Sequence, residues 1–573
     1  MSLFEGLNVA TRGLSAAQLA INVTGQNITN AGTDGYSRKR IEQSAEWRRD
    51  GSYGQMGFGV EVYSINRVRD QFIDRLVNDE YTRYGYYSIK DASFARIEDI
   101  FNEPSEHALN SLLNNFWNGW ADVANNPESA GARETLRSTT ESLVSQFHYI
   151  TTQLRAYKET VNDEIEARVY RINELTASIY RCNVVIAGSE GAIGNKANDT
   201  RDQRDLLLQE LAQLIDVDYF EDERGALTVS TNGQMLVSGA KNHELVMHRT
   251  ELTEKDGYQY SRVEISFELT GTPFNPKQGE LRALMDVRDT DIPKYEEYVN
   301  ELAKSLITEV NEIHQNGYAL SQLTFIDFFD SDPNKLNAAN MSLSQAIKND
   351  INNIAAGIGG QILTAERISY TPLPSLDPLI SIPFDLTSMD DRYRYILKNS
   401  LDIEVVVDGT QVPPITRKLQ EGKDYTIDYN NARIIFTDNA TSNVLNPPSE
   451  VLISFKYHEN GYGGPGDGDN ALLLSQLRNK LIMQSDVFGN STQTMNQFYS
   501  GMLGRLGVER NDAAAGLDTR TFALAQLKVR QDEIMGVNLD EEIASLIQYQ
   551  YTYQASARYL TTINTMLETL LNM

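Results

Sequence analysis

Small and apolar residues recur near the amino terminus at intervals of four and three. The positions are Leu3, Leu7, Ala10, Leu14, Ala17, Ile21, Thr24 and Ile28. This spacing keeps one helix face apolar and is typical of a coiled-coil seam. Ser2 and Glu5 form a capping box before the pattern, and Asn30 with Gly32 can end the helix. The pattern therefore predicts one long amphipathic helix at this end of the chain.

The carboxyl terminus repeats the same spacing. Its positions are Leu539, Ile543, Leu546, Gln550, Tyr553, Ala557, Leu560, Asn564, Leu567 and Leu571. Asn538 is placed to cap this second helix, and Asp540, Glu541 and Glu542 follow in its first turn, where the helix dipole favours negative charge. We therefore predict a helix at each end of the chain, each with a seam of the coiled-coil type.

The faces opposite these seams carry unusually few charges. Residues 1–32 contain only Glu5 and Arg12, and residues 543–573 contain only Arg558 and Glu568. A surface helix ordinarily has a charged outer face, whereas uncharged polar side chains tolerate partial burial. Two interpretations follow. The helices either pair with each other and close a monomeric bundle, or they become covered on several sides when many copies pack together.

Between the ends, helical and strand-like periods alternate. Apolar spacing over residues 136–179 predicts a helical rod of roughly 65 Å, and further helices are predicted at 199–215 and 295–313. Alternating patterns around Asn232-Gly233 and within 398–458 predict antiparallel strands. We expect an α+β multidomain fold, in which discontinuous terminal coiled-coil helices and a long-helix body carry inserted antiparallel β sub-domains. The predicted units are a terminal coiled-coil assembly domain (1–65 and 520–573), a helical body (66–215, 276–320 and 470–519), a small β unit (216–275), and a β-rich outer insertion with a Gly-rich return linker (321–469).

The charge of the chain argues against several classes of partner. The 573 residues include 51 Lys and Arg against 79 Asp and Glu, a net charge of −28. This balance repels phosphate backbones and anionic lipid surfaces, so we expect no nucleic-acid partner and no membrane insertion. No apolar run has the length of a membrane span, and the start of the chain does not resemble a cleaved signal peptide. The single cysteine, Cys182, excludes an intrachain disulfide.

Candidate chemistry is sparse. Residues 461–466 match the G-x-G-x-x-G pattern, but three residues separate the first glycine from the preceding strand pattern, which favours a flexible linker over a dinucleotide site. Asp467 and Asp469 lack the further ligands of a calcium loop. The six histidines do not show zinc-protease spacing. We therefore predict no catalytic, cofactor-binding or metal-binding residue; an enzyme within the outer insertion is an alternative without a supporting motif.

The segment after the first helix carries a recognisable signature. Residues 25–38 resemble the amino-terminal signature of bacterial flagellar axial proteins, and residues 536–542 and 553–558 are similar to the carboxyl end of hook-associated members of that family. Similarity extends over roughly 1–215, more loosely 276–316, and 470–573. Asp34 departs from the signature, which more often has proline there; aspartate suits the same turn position. The amino-terminal signature alone is shared by rod and hook proteins, which are the alternative within the family.

The resemblance implies a structural role rather than catalysis. It implies export through the flagellar type III system without a cleaved signal peptide, an extracellular place at the hook–filament junction, and assembly as a homo-oligomeric ring. The implied partners are the hook protein, a second hook–filament junction protein, and an export chaperone at the carboxyl-terminal helix; β insertions are expected to project outward from the tube. The residues expected to serve subunit assembly lie in the two seams and the signature: Leu3, Leu7, Leu14, Ile21, Asn27, Ile28, Asn30, Gly35, Tyr36, Ser37, Arg38, Ile543, Leu546, Tyr553, Leu560 and Leu567.

Overall fold

The structure is a computed structural model of the 573-residue chain. It describes residues 3–51, 54–190, 196–239, 241–254, 257–321, 323–358, 363–370, 383–385, 401–408, 415–420, 425–428, 433–436, 451–458, 464–485 and 491–572. The fold is α+β, as expected, with long helices and several small antiparallel sheets. Ser2 of the predicted capping box lies outside the described residues.

Helices, most of them long, form the body of the molecule. They are α2 (Gln71–Phe101), α3 (Leu109–Asn125), α4 (Ala130–Ser189), α5 (Asn198–Leu214), α6 (Glu280–Asp286), α7 (Ile292–Gln315), the short α8 (Gln345–Asn349) and α9 (Asp469–Gln476), and α10 (Met495–Met535). The rod predicted for 136–179 lies within α4, which has 60 residues and begins earlier because the Ser129 hydroxyl accepts a hydrogen bond from the amide of Ala132.

One continuous hydrophobic core lies between these helices. Its side chains come from residues 94–513, and the aromatic rings of Phe116, Trp117 and Trp120 are almost fully buried in it. Phe116 and Trp117 meet edge to face with ring centroids 4.8 Å apart. Among the described residues, no side chain before residue 89 or after residue 513 belongs to this core.

A small β unit packs on the body. It comprises β3 (Asp218–Glu221), β4 (Leu227–Thr231), β5 (Gln234–Ser238) and β6 (Lys241–Asn242) in one antiparallel sheet, and the separate hairpin of β7 (Leu245–Thr253) and β8 (Gln259–Phe267). The predicted hairpin turn at Asn232-Gly233 is present. Both residues have positive φ, 50° and 76°, which the turn requires.

Residues 324–356 differ from the predicted outer insertion. β9 (Tyr318–Ala319), just before the segment, pairs with β10 (Ala355–Gly357) at its end, but most of the segment is irregular. Phe328 and Phe329 are fully buried in the body core, and the Asn311 side chain on α7 accepts hydrogen bonds from both of their amides. The segment therefore belongs to the helical body. No periodic pattern marks this segment in the sequence, because side-chain caps and loops, not regular elements, position its aromatic residues.

His314 fastens this segment to the end of α7. Its ring is fully buried, with Nδ1 2.7 Å from the carbonyl oxygen of Ile326, while Nε2 accepts a hydrogen bond from the Ala355 amide at 2.9 Å. Nδ1 must therefore carry the proton. Burial lowers the pKa of His314 from 6.5 to about 4.

Stability is therefore expected to depend on the protonation of His314. In the unfolded chain the ring gains a proton below about pH 6.5. The buried neutral ring therefore stabilises the fold fully above pH 6.5. As pH falls toward 4 this contribution to the free energy of unfolding is lost, by about 3 kcal/mol in total. Urea unfolding should show a flatter pH dependence over this range in His314→Gln than in the wild type. The matched control is His248→Gln at an exposed site, and equal slopes in wild type and His314→Gln would contradict the prediction.

The strands predicted within 398–458 are present. β11 (Leu363–Tyr370), β13 (Asp402–Asp408), β14 (Ile415–Lys418) and β17 (Val451–His458) form one sheet in the order β11-β17-β13-β14, and β12 (Pro383–Asp385), β15 (Tyr425–Asp428) and β16 (Arg433–Phe436) form another. Two short strands, β18 (Met483–Ser485) and β19 (Ser491–Gln493), follow. Most of the G-x-G-x-x-G match, residues 461–463, lies outside the described residues.

The two chain ends form a separate unit. Helix α1 (Leu3–Thr29) packs against α11 (Leu539–Leu571) and against the hairpin of β1 (Lys39–Gly51) and β2 (Gly54–Arg67). The Asn538 side chain caps α11, as predicted, by accepting hydrogen bonds from the amides of Asp540 and Glu541. We call α1, β1, β2 and α11 the terminal unit.

Candidate assembly site at the two chain ends

The terminal helices are antiparallel and come into close contact at two glycines. A Cβ atom on Gly6 would lie 3.0 Å from Cδ1 of Ile563, and one on Gly13 would lie 3.1 Å from Oγ of Ser556. These distances are shorter than ordinary contacts of a Cβ atom, so a larger residue at either position would require the facing side chain to shift. The α1 residues along this contact are small or polar and keep four-and-three spacing: Gly6, Ala10, Gly13, Ala17, Ala20, Thr24 and Asn27.

The predicted α1 seam coincides with this contact only in part. Ala10, Ala17 and Thr24 are buried, and the side chain of Leu3 lies outside the described residues. The larger predicted residues are half-buried beside the contact: Leu7, Leu14, Ile21 and Ile28. Close packing of the helix axes admits only small side chains between them, so the bulky residues lie on the flank.

The α11 side agrees better with the prediction. Half-buried residues continue the spacing from buried Glu542 to beyond buried Ile563: Leu546, Tyr553, Leu560 and Leu567. Ile543 differs, because it is 46% exposed. A heptad pattern read from apolar residues alone cannot show that a carboxylate, Glu542, occupies the first contact position.

Asn27 joins three parts of the terminal unit. Its Nδ2 donates hydrogen bonds to the carbonyl of Lys39 and to Oε2 of Glu542, each at 3.0 Å. Its Oδ1 accepts from the Lys39 amide at 3.0 Å and from the Tyr36 hydroxyl at 2.9 Å. All the hydrogen-bonding capacity of this buried amide is used. Asn27 therefore fixes the end of α1 against the start of β1 and the first turn of α11.

Arg38 makes the second connection to α11. Its Nε donates to Oε1 of Glu542 at 2.7 Å, its Nη1 donates to Glu541 at 3.0 Å, and its amide donates to the carbonyl of Met535 at 3.0 Å. Glu542 thus accepts from both Arg38 and Asn27 and was missed by the sequence analysis. An acidic residue near the start of a helix is already explained by the helix dipole. No pattern in the sequence around Glu542 indicates a partner so distant in the chain.

The turn between α1 and β1 depends on Asn30 and Gly35. The Asn30 side chain donates to the carbonyl of Gln26 at 2.9 Å and closes the last turn of α1. Gly35 has φ +75°, and a Cβ there would lie 2.4 Å from side-chain carbons of Leu206 on α5. Both the backbone conformation and the lack of space require glycine.

Tyr36 and Ser37 complete the signature. Burial, with further contributions from Asp199, Asp202 and Glu542, raises the pKa of the Tyr36 hydroxyl to about 12, so it remains a donor to Asn27 at neutral pH. Ser37 is fully buried and donates from its hydroxyl to Asp202 at 2.7 Å. The signature residues therefore hold the chain ends together and against α5 within one subunit.

The outer surfaces of the terminal helices are exposed and, beyond the first turn of α11, almost uncharged. One stripe of α1 presents only polar, uncharged side chains: Asn8, Thr11, Ser15, Gln18, Asn22, Gln26 and Thr29. On α11, Ile543, Ile547 and Tyr551 are 46%, 47% and 68% exposed. Exposed apolar residues grouped on one helix mark an interaction surface.

The described part of the chain offers little for other chemistry. No group of three or more His, Cys, Asp or Glu among these residues is arranged to hold a metal ion. None of the described helices combines the length and apolar character needed to cross a membrane.

Comparisons with known families match three parts of the chain. The family described as "Flagellar hook-associated protein FlgK helical domain" matches residues 94–329. "Flagella basal body rod protein" matches residues 7–36, and "Flagellar basal body rod FlgEFG protein C-terminal" matches residues 531–573. The last two matches include α1 and α11, respectively.

Whole-length relatives are also found. The chain is 24% identical to flagellar hook-associated protein 1 of Bacillus subtilis, covering 100% of this chain and 98% of that protein. It is 26% identical to flagellar hook-associated protein 1 of Salmonella typhimurium, covering 99% of each. The flagellar hook junction protein FlgK of Burkholderia pseudomallei has a similar fold, with a TM-score of 0.53 at 17% identity over 80% of this chain and 99% of that one.

Proposed function

We propose, since the chain belongs to the flagellar hook-associated protein 1 family, that it is a structural adaptor joining the flagellar hook to the filament. Copies polymerise through α1 and α11 into a ring in the axial tube. The helical body then forms the wall, and the β insertion lies on the outside. The proposal contains no enzymatic step.

The nearly uncharged exposed faces of α1 and α11 carry this proposal. Pairing with each other covers one side of α1 and α11, and α1 also packs on the β1–β2 hairpin. Beyond the first turn of α11, the exposed faces lack the charge of a solvated helix, and no described side chain of either helix belongs to the body core. Uncharged amides and hydroxyls can be buried if they find hydrogen bonds, and Ile543, Ile547 and Tyr551 gain from burial. Contact with other copies of the same unit supplies hydrogen-bond partners for the polar groups and burial for the apolar side chains.

The rod or hook alternative is not favoured. The rod-protein matches cover only the two ends, 7–36 and 531–573, where axial proteins share their signature. The family that matches residues 94–329 is named for hook-associated proteins, and so are the relatives that match along the whole chain. The long body between the ends therefore distinguishes this chain from a rod subunit.

The proposed partners follow from the position in the tube. They are the hook protein on one side, a second hook–filament junction protein on the other, and further copies within the ring. Before assembly, an export chaperone covers the exposed residues of α11, and the chain reaches the extracellular flagellum through the flagellar type III system. An exposed apolar helix face in the free subunit supports such a chaperone.

Ring formation on isolated hooks tests the proposal. Purified full-length protein, and a form lacking residues 1–32 and 543–573, are added to isolated hooks and examined by electron microscopy. The full-length protein should add a ring and the truncated form should not. The body core contains no described side chain from the removed segments, so circular dichroism should show that the truncated form stays folded. Rings from both forms, or from neither, would contradict assembly through the chain ends.

A further inference from the structure

Helix α10 carries a second seam on its outer side. Its inner side packs on α2 and contributes Met502 and Leu506 to the body core. On the outer side, Val508, Phe522 and Val529 are 60%, 66% and 61% exposed. The residues on this side follow steps of three and four: Gly501, Gly504, Val508, Asn511, Ala515, Asp518, Phe522, Ala525 and Val529. We call these nine residues the outer seam.

The outer seam does not have the composition of a solvated helix surface. Asp518 carries its only charge. A Cβ atom on Gly501 or Gly504 would meet nothing within 4 Å, so packing within the subunit does not require glycine, although each costs about 1 kcal/mol relative to alanine in a helix. Exposed apolar residues, and glycines without a role inside the subunit, indicate contact with another molecule. By contrast, the exposed side of α7 is charged: Glu297, Glu301, Lys304 and Glu312.

A second copy of the chain is the partner that fits this seam. Residues 536–538 lead from α10 directly into α11, where Ile543, Ile547 and Tyr551 belong to the surface through which we propose that copies polymerise. The outer seam is roughly 40 Å long and about 10 Å wide, or about 400 Å². This is half of the ~800 Å² per partner that a stable interface buries. The seam is therefore too small to hold two free subunits together and needs the support of the chain ends.

Helix α4 presents an uncharged face of similar length. The hydroxyls of Ser142 and Ser145 donate to carbonyl oxygens of their own helix, those of Ser138 at 3.0 Å and Glu141 at 2.8 Å. Because these donors are already satisfied, burying them costs less. The residues of this face are all exposed and follow steps of four and three: Gly131, Thr135, Ser138, Ser142, Ser145, Tyr149, Thr152 and Ala156. We call these eight residues the α4 face.

The outer seam and the α4 face lie on different sides of the body. Helices α2, α3 and α7 each contact both α4 and α10 and lie between them. A contact between unlike surfaces is heterologous, and its repetition from copy to copy builds rings or helical arrays. The bulky Val508, Phe522 and Val529 fit between the smaller side chains of the α4 face, as knobs fit into holes.

We propose that the outer seam of each copy packs against the α4 face of the next copy in the assembled ring. This inference rests on the proposed function and names the surfaces by which the bodies meet. The contact forms after the chain ends have brought the copies side by side. It therefore does not depend on the state of the chain ends in the free subunit.

Cross-linking of assembled flagella tests the contact. Phe522→Cys is combined in turn with Ser138→Cys, Ser145→Cys and Thr152→Cys, three positions that cover different lengthwise offsets between copies. Hook–filament complexes from a deletion strain producing each variant are treated with a short bis-maleimide. At least one pair should give a ladder of multimers, with a yield at least about tenfold above that of the free protein at micromolar concentration. Wild type, in which Cys182 is buried, is the blank.

The controls separate this contact from the proposed function. Phe522→Cys alone should give no dimers, because the contact joins unlike surfaces. Glu301→Cys on the exposed side of α7, combined with Ser145→Cys, should give no multimers either. Dimers of the Phe522→Cys protein, or incorporated double-cysteine proteins without any multimer, would overturn the contact and leave the adaptor function intact. Absence of the wild-type protein from the complexes would instead overturn the proposed function.

Charge substitutions test the contact without cross-linking. Phe522→Lys and Ser145→Lys should each lower the amount of protein in flagella at least about tenfold, because the lysine would be buried between copies. Glu301→Lys places a lysine on the exposed side of α7 and should leave the amount unchanged. All three residues are exposed in the subunit, so urea unfolding of each variant should match the wild type. Normal incorporation of both Phe522→Lys and Ser145→Lys overturns the proposal.

Discussion

Leu560→Asp is expected to abolish incorporation of the protein into flagella while the helical body unfolds as in the wild type. Leu560 is half-buried on the side of α11 that contacts α1. A carboxylate there must either lose its hydration or separate the helices, at a local cost of roughly 2 kcal/mol or more. The body is unaffected because its described core contains no residue of α11.

Swimming assays and electron microscopy of flagella in a complemented deletion strain measure this effect, and urea unfolding of the purified protein reports on the body. The matched control is Thr152→Asp, which adds the same charge to the exposed face of α4. Normal motility of the Leu560→Asp strain would show that the α1–α11 pair is not needed for assembly. Loss of motility in both strains would show that the added charge does not act through the α1–α11 contact.

Phe328→Ala is expected to lower the free energy of unfolding of the body by about 3–5 kcal/mol. The ring is fully buried, 5.0 Å from the ring of Trp120 and 5.4 Å from that of His314, measured between centroids. Removing it leaves a cavity among rigid aromatic neighbours, which cannot collapse to fill the space.

Chemical denaturation measures the change, and Leu323→Ala serves as the control in the same segment. The Leu323 side chain is 47% exposed, so its removal should alter stability by no more than about 0.5 kcal/mol. Equal small effects of both changes would show that the segment is an appendage and not part of the body.

Long periodic elements were predictable from the sequence alone. The α4 rod, the Asn232-Gly233 turn and the Asn538 cap each depend on residues close together in the chain, and all three are present. Local physical preferences decide such features: apolar spacing for the rod, positive φ for the turn, and a side-chain acceptor for the cap.

Features that depend on distant partners were not predictable. The seam on α1 uses Gly6 and Gly13 because α11 comes close there, and a pattern of apolar residues gives glycine no weight. Glu542 acquires its role only when Asn27 and Arg38 approach. Phe328 lies in an irregular segment whose burial depends on Asn311 and Trp120. In each case the deciding contact is tertiary, so no local window contains it.

The hydrogen bond between Asn27 and Glu542 joins residues 515 positions apart. Contacts between such distant residues form slowly, because the entropy of closing a long loop is lost before any contact compensates for it. The body can gain its core without this contact, since its described core ends at residue 513. We therefore expect the terminal unit to form late in folding, because its pairing needs α11, which lies more than 500 residues after α1. During that interval both end helices are unpaired, and they are open to whichever partner reaches them first.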